Sequence, residues 1–232
     1  STLISGEGGS GKPLIGFTII SSWLEQGGNV IFILTSTGKE FAAQTFLRVY
    51  NLDIDKYKEQ LRFIQLDPDY ELEASPTDFS QWDEPSVVNL VNPDNWEKAL
   101  RHAEKEFKRE EGPGTMVFGA ALNLMLFSPT YGEKVLQKLQ KLISEDKKRS
   151  YLFTVSTSAL AAKIKVLEEA ADNLMFTRNE KPMKLFLNIT RMKNKPFASK
   201  EIEVPLKQKD LETIKELAEN SRGNLIPRIS KI

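Results

Sequence analysis

The chain has no cysteine and a single histidine in 232 residues. Without thiols there is no disulfide, no thiolate metal site and no cysteine nucleophile, which fits a reducing intracellular compartment; a cytoplasmic location is the expectation. His102 sits amid Lys and Glu residues without convergent partners, so it reads as a surface residue, and histidine-triad catalysis is set aside. Net charge is missing too: 32 basic residues balance 32 acidic ones, leaving no global attraction to nucleic acid or to an acidic membrane. No apolar run reaches the roughly 18 to 20 residues of a membrane span, and no signal-peptide pattern is present. The chain opens on Ser1 directly inside an apolar segment, which leaves its true start open.

What is present is organised around one stretch. Ser5-Gly6-Glu7-Gly8-Gly9-Ser10-Gly11-Lys12-Pro13 follows the apolar Thr2-Leu3-Ile4 and runs into an amphipathic helix pattern. It matches the phosphate-loop pattern G-x-x-x-x-G-K at Gly6, Gly11 and Lys12. In such a loop backbone N–H groups cradle phosphates, the lysine reaches the outer ones, and a final Ser or Thr ligates magnesium. Residues Gly6, Glu7, Gly8, Gly9, Ser10, Gly11, Lys12 and Pro13 are therefore the candidate nucleotide-binding set. Pro13 stands where the hydroxyl belongs. It also lacks an N–H for a phosphate and biases Lys12 away from helical conformation. Proline is common in the first turn of a helix, so helix formation itself is not threatened.

The hydrophobic content of 40% supports a substantial core, and one α/β domain is the simplest reading. Ile15, Ile19, Trp23 and Leu24 recur at helical spacing up to Gly27-Gly28. Asn29 to Leu34 reads as a buried parallel strand, giving a strand, loop, helix, strand opening. Thr35-Ser36-Thr37-Gly38 is a polar turn at its carboxyl end, where open α/β sheets place ligand chemistry. A helix with Phe41, Phe46, Leu47 and Tyr50 follows, then a strand over Leu61 to Leu66 and a turn at Asp67-Pro68-Asp69. Residues 70–93 are Pro- and acid-rich, with Phe79 and Trp82, and read as an insertion that is structural or partner-binding in preference to a substrate lid. Asp94 with Glu97, and Thr130 with Glu133, form capping-box patterns ahead of two helices, the first extending to about Glu111. Strands are expected at Thr115 to Gly119, Tyr151 to Ser156 and Asn173 to Thr177, with a helix over Ala159 to Ala171. Lys184 to Met192 and Glu201 to Val204 suit an antiparallel edge. Residues 1–206 form the expected core and 207–232 a C-terminal helix, marked by Leu211, Ile214, Leu217 and Ala218, with a loosely held tail from Arg222.

In this order the elements resemble the KaiC-like branch of the RecA superfamily of P-loop ATPases, the group that includes archaeal RadA paralogs, over nearly the whole chain. Leu3 to Lys12 is similar to that family's opening strand and phosphate loop, Asp172-Asn173-Leu174-Met175-Phe176 to its aspartate followed by an apolar strand, and Arg191-Met192-Lys193 to its basic-x-basic hairpin motif. The resemblance implies a RecA-like P-loop NTPase fold: α/β, with a mostly parallel central sheet flanked by helices and an antiparallel edge hairpin near the C-terminus. It further implies ATP or ADP held between subunits of a ring or filament, with Arg191 and Lys193 reaching a neighbouring subunit.

Four family positions depart from this pattern. The glutamates that activate water are matched by Thr35 and Ser36, whose hydroxyls are too weakly basic for that role. The magnesium aspartate is matched by Gly119 and the sensor glutamine by Thr157. With Pro13, these losses remove both metal neutralisation and the positioned nucleophile of phosphoryl transfer. No metal ligand set is assigned, and magnesium binding is not expected. The reading is a degenerate RecA-type subunit that acts through assembly or partner contacts, as a homo-oligomer or with related subunits, and retains weak nucleotide binding at most. Two alternatives stay open. One is an active ATPase using Glu7, Glu40, Asp67 or Asp69. The other is a recombination accessory that binds DNA through Lys181, Lys184, Arg191, Lys193, Lys195 and Lys200, with Phe186 and Phe197 as its few stacking aromatics.

Overall fold

In the computed structural model, the described residues are 1–70, 82–108, 112–180, 184–221 and 224–232. Phe79, Glu111, Lys181 and Arg222 lie outside them, as does the acidic run within residues 71–81.

The second strand shows how the sheet is built. Asn29–Leu34 (β2) is buried at every position, with Val30, Phe32 and Leu34 in one apolar cluster and Ile31 and Ile33 in the other. A strand covered on both faces needs no polar alternation, hence its continuous apolar run. Thr2–Gly6 (β1), Leu61–Leu66 (β3), Ser86–Val88 (β4), Thr115–Gly119 (β5), Ser150–Ser156 (β6), Asn173–Glu180 (β7), Lys184–Arg191 (β8) and Ile202–Glu203 (β9) complete the sheet. The order is β4-β3-β2-β5-β6-β1-β7-β8-β9, parallel from β4 to β7, with β8 and β9 antiparallel at one edge. The expected antiparallel edge is therefore present. The 70–93 segment contributes β4, the opposite edge strand, and buries Val88, Leu90 and Val91.

Helices Lys12–Glu25 (α1), Lys39–Tyr50 (α2) and Gln208–Ser221 (α6) cover one face. Asn95–Lys105 (α3), Gly132–Glu145 (α4), Ala161–Ala170 (α5) and the short Ile226–Ile229 (α7) cover the other. Beneath α1 the ring of Phe17 lies 4.9 Å from Phe46, 5.6 Å from Phe32 and 5.8 Å from Phe118, tying the helix that follows the phosphate loop to β2, β5 and α2. Such tilted aromatic pairs add about 0.5–1.5 kcal/mol each beyond their buried area.

Several local expectations are corrected. Lys12 is the first residue of α1 despite the proline after it; Pro13 occupies the first turn, where its missing N–H forfeits no intrahelical hydrogen bond. Neither capping box forms. Asp94 makes no side-chain cap, and Glu97 instead accepts from Arg101 and Arg149. At α4 it is Ser128, not Thr130, whose Oγ accepts from the Tyr131 N–H at 2.9 Å, while Glu133 pairs with Lys163. Helix α3 ends at Lys105 rather than near Glu111. Leu47 is 50% exposed, so the buried stripe of α2 is carried by Phe41, Ala42, Thr45 and Phe46. An unexpected 3₁₀ helix, Leu122–Phe127, follows β5 and buries Leu122, Met125 and Leu126. The tail beyond residue 223 is not loose: Leu225 and Ile229 enter the core, and Arg228 pairs with Asp67 and with Asp69 at 2.6 Å.

Candidate functional site

The phosphate loop leaves the carboxyl end of β1, with β6 on one side and β7 on the other; Gly6 registers with Ser156 and with Thr177. Gly9 and Gly11 both adopt φ of +74°, the left-handed region that glycine tolerates without strain. Gly11 is required for a second reason, because a Cβ there would lie 2.9 Å from Leu185 Cδ1 of β8. The antiparallel edge thus braces the loop from outside.

Lys12 is only 5% exposed. Its ammonium donates to Gly6 O at 2.9 Å, Glu7 O at 2.5 Å and Ser10 Oγ at 3.1 Å. Burial lowers its pKa from 10.5 to about 8, opposed in part by the Glu7 carboxylate. Ser10 is buried and its Oγ lies 2.8 Å from Thr177 Oγ1. Asn179 Nδ2 donates to Gly9 O at 2.5 Å, and the Gly8 N–H donates to Ser158 Oγ at 2.8 Å. The loop is therefore held by side chains of β7, of β8 and of the β6–α5 turn. Thr177, Asn179, Leu185 and Ser158 were not singled out from sequence. The signal was strand order: they lie on the strands or turns beside β1, and that adjacency is visible only once the sheet is known.

The loop fits a phosphate. Its shape is preset, its cation is fixed against the backbone, and the N–H groups of Gly9 and Gly11 have no partner among the described residues. Magnesium does not fit. Pro13 offers no hydroxyl, and a Cβ on Gly119 would meet both Leu122 methyls at 2.8 Å, so an acidic side chain there would have to displace Leu122. Thr35 is buried and its Oγ1 donates to Ala120 O at 2.7 Å. Thr157 approaches the loop through its backbone, donating its N–H to Gly6 O at 2.9 Å. Among the described residues no group of three His, Cys, Asp or Glu side chains is placed to hold a metal ion.

Of the alternative bases, Glu7 lies in the loop itself, whereas Glu40, Asp67 and Asp69 stand apart from it. Asp67 and Asp69 follow β3, four strands from β1, and both pair with Arg228; Glu40 accepts from the Gln44 amide on α2. A cleft of about 280 Å³ at the ends of β2 and β3 is lined by Thr35, Ser36, Gln65, Asp67, Leu225 and Arg228. Ser36 faces this cleft rather than the loop.

Arg191 and Lys193 lie at the far end of the sheet from the loop, since Arg191 registers with Leu174 near the start of β7. Arg191 donates to the carbonyls of Glu168 and Ala171, closing the end of α5. Lys193 pairs with Asp172 at 2.7 Å, and its hydrogen bond holds the Asp172 carboxyl below its ordinary value. Lys184 pairs with Glu203, and Phe186 lies under the Arg178 guanidinium, which itself pairs with Glu201. Much of the basic hairpin is thus neutralised locally.

No family model matches the chain, and no curated protein matches it in sequence. Among solved structures it is similar to a KaiC-like protein from the hyperthermophilic archaeon Pyrococcus horikoshii OT3, with a TM-score of 0.63 and 13% identity over 87% of this chain and 83% of that one. No described helix is long and apolar enough to cross a membrane. With its mostly parallel sheet, flanking helices and antiparallel β7-β8-β9 edge, the chain shares the fold of that KaiC-like protein.

Proposed function

We propose that this protein is a nucleotide-binding pseudo-ATPase: a RecA-type subunit that holds ADP or ATP in its phosphate loop without magnesium, does not turn it over, and acts in the cytoplasm by assembling with copies of itself or with related subunits. The observation that carries the reading is the contrast at two strand ends. Lys12 remains buried and stapled to the loop backbone, whereas Leu122 fills the space beside Gly119 that a metal-serving carboxylate would need. Phosphoryl transfer relies on charge neutralisation and a positioned nucleophile, and neither is supported by the side chains around the loop.

In this reading the residues of the loop bind and orient. Gly9 and Gly11 present backbone N–H groups, Lys12 supplies the cation, and Thr177 fixes Ser10 against the loop floor. A bound nucleotide contributes its phosphates as acceptors for those donors. Calorimetric titration with ADP in EDTA and then in magnesium tests this directly. Equal heats with and without metal, lost in Lys12→Ala, are expected, together with no phosphate release from ATP. Metal-dependent heats or Lys12-dependent phosphate release would replace the reading with that of a working ATPase. Light scattering reports assembly, and a strictly monomeric species at all concentrations would remove the self-assembly clause.

A further inference from the structure

We infer that the loop selects a nucleoside diphosphate over a triphosphate, and that Ser158 is the residue that closes its outer end. The inference rests on the proposed nucleotide binding and adds which ligand class the site takes and why.

In a phosphate loop, backbone N–H groups near the start of the helix hold the inner phosphates and the lysine reaches the outer ones. Here the Lys12 side chain runs back along the loop, so its ammonium lies at the carbonyls of Gly6 and Glu7. The outer end is therefore the one bordered by residues 6 to 8. At that end the Gly8 N–H, a donor a third phosphate would use, is already given to Ser158 Oγ at 2.8 Å. The β6–α5 turn that carries Ser158 is itself tied down. Thr157 N–H donates to Gly6 O at 2.9 Å, and Ser158 N–H donates to Ser156 Oγ at 3.3 Å. The hydroxyl is thus held over Gly8 from two sides.

The inner end differs. Gly9 and Gly11 keep N–H groups without partners among the described residues, and both hold the left-handed conformation that turns successive N–H groups inward. Charge acts in the same direction. Lys12 is the one basic side chain of the loop, and no described carboxylate cluster would recruit a divalent cation. A third phosphate would add negative charge with no counter-charge and would have to displace Ser158; a diphosphate does neither.

The test is calorimetry in EDTA at neutral pH with ADP, ATP and inorganic pyrophosphate on the wild type, Ser158→Ala and Lys12→Ala. Ser158 is exposed, so its truncation is compatible with folding, and circular dichroism checks this. Wild type is expected to bind ADP about tenfold more tightly than ATP, with pyrophosphate measurably bound. Ser158→Ala is expected to narrow the preference until the two nucleotides lie within about threefold. Lys12→Ala loses all three. Equal or tighter ATP binding by the wild type, or a Ser158→Ala variant with an unchanged or wider preference, overturns the selection while leaving nucleotide binding intact. If none of the three ligands binds the wild type, both the selection and the binding reading fall.

Discussion

Leu122 occupies the space that a side chain on Gly119 would need: a Cβ built on the glycine meets both leucine methyls at 2.8 Å. Leu122 is fully buried and belongs to the 3₁₀ helix that follows β5, so a side chain on Gly119 could enter only by displacing it. The bare backbone at Gly119 and the position of Leu122 are therefore linked. Placing an acid there alone should fail. Gly119→Asp is expected to cost about 1–3 kcal/mol by overpacking, more if the carboxylate stays buried and charged, and to give no magnesium-dependent phosphate release. Combined with Leu122→Ala, the two costs should sum to at least about 1 kcal/mol less than their separate values, since the residues share one space. Urea denaturation of the four proteins measures this cycle.

Lys12 makes both stability and binding depend on pH. Its folded pKa of about 8 lies below the ordinary 10.5, so between these values the unfolded chain binds a proton that the folded chain does not. Folding stability should accordingly rise from pH 8 to pH 10.5, by up to about 3 kcal/mol, and this gain should vanish in Lys12→Met. Ligand binding runs the other way: nucleotide affinity should fall as pH passes through 8 and the loop loses its cation. Bound phosphate favours the ammonium, so titrations in buffers of different ionisation enthalpy should detect proton uptake near pH 8.

Arg149 staples α3, the end of α4 and β6. Its side chain is 4% exposed and contacts Glu104 at 2.6 Å, Asp146 at 3.0 Å and Glu97 at 3.2 Å, while Tyr151 Oη donates to Asp146 at 2.7 Å. Arg149→Met leaves these acids facing a vacancy in charge and should cost about 3–5 kcal/mol. Burial pushes the Glu97 and Asp146 carboxyls up, yet the hydrogen bonds of Arg149 with Arg101 or Tyr151 outweigh it and hold both below their ordinary values. Their contribution is present above the ordinary carboxylate range, near about pH 4, and is lost as pH falls through the lowered values. The acid limb of the stability curve should be shallower in Arg149→Met than in the wild type.

The C-terminal segment separates packing from charge. Ile229 is fully buried, so Ile229→Ala should cost about 2–5 kcal/mol. Arg228 is 39% exposed and pairs with exposed or half-buried aspartates, so Arg228→Ala should cost about 1 kcal/mol or less. Limited proteolysis after residue 223 should accelerate strongly in the first variant and little in the second.

Most strands were legible because a sheet buried on both faces writes itself as short apolar runs bounded by glycine and polar turns; β2 and β5 are the clearest examples. The antiparallel edge was legible from the alternation in Lys184 to Arg191. Features decided by partners distant in sequence were not. Glu97 looked like a cap, but Arg101 on the next turn and Arg149, 52 residues away, take it instead. Leu122–Phe127 is apolar nearly throughout, so it has no period to read. Leu225 and Ile229 looked like isolated apolar residues in a polar tail until the core face that receives them was in view. At the site, the loop glycines and Lys12 announced themselves, whereas Ser158, Asn179 and Leu185 act on the loop only through strand adjacency.

The docking of α7 also bears on how the protein is made. Leu225 and Ile229 complete the apolar cluster on the face covered by α3, α4 and α5, and Arg228 joins that segment to the turn after β3, some 160 residues earlier in the chain. During synthesis that face and the cleft above β2 and β3 stay open until residues 225–229 leave the ribosome. The phosphate loop, emerging well before them, waits almost as long, since β7 and the Leu185 that braces it are themselves late. This is a topology in which order arrives from the C-terminus backwards, and a chain stalled before residue 185 would expose an unbraced loop.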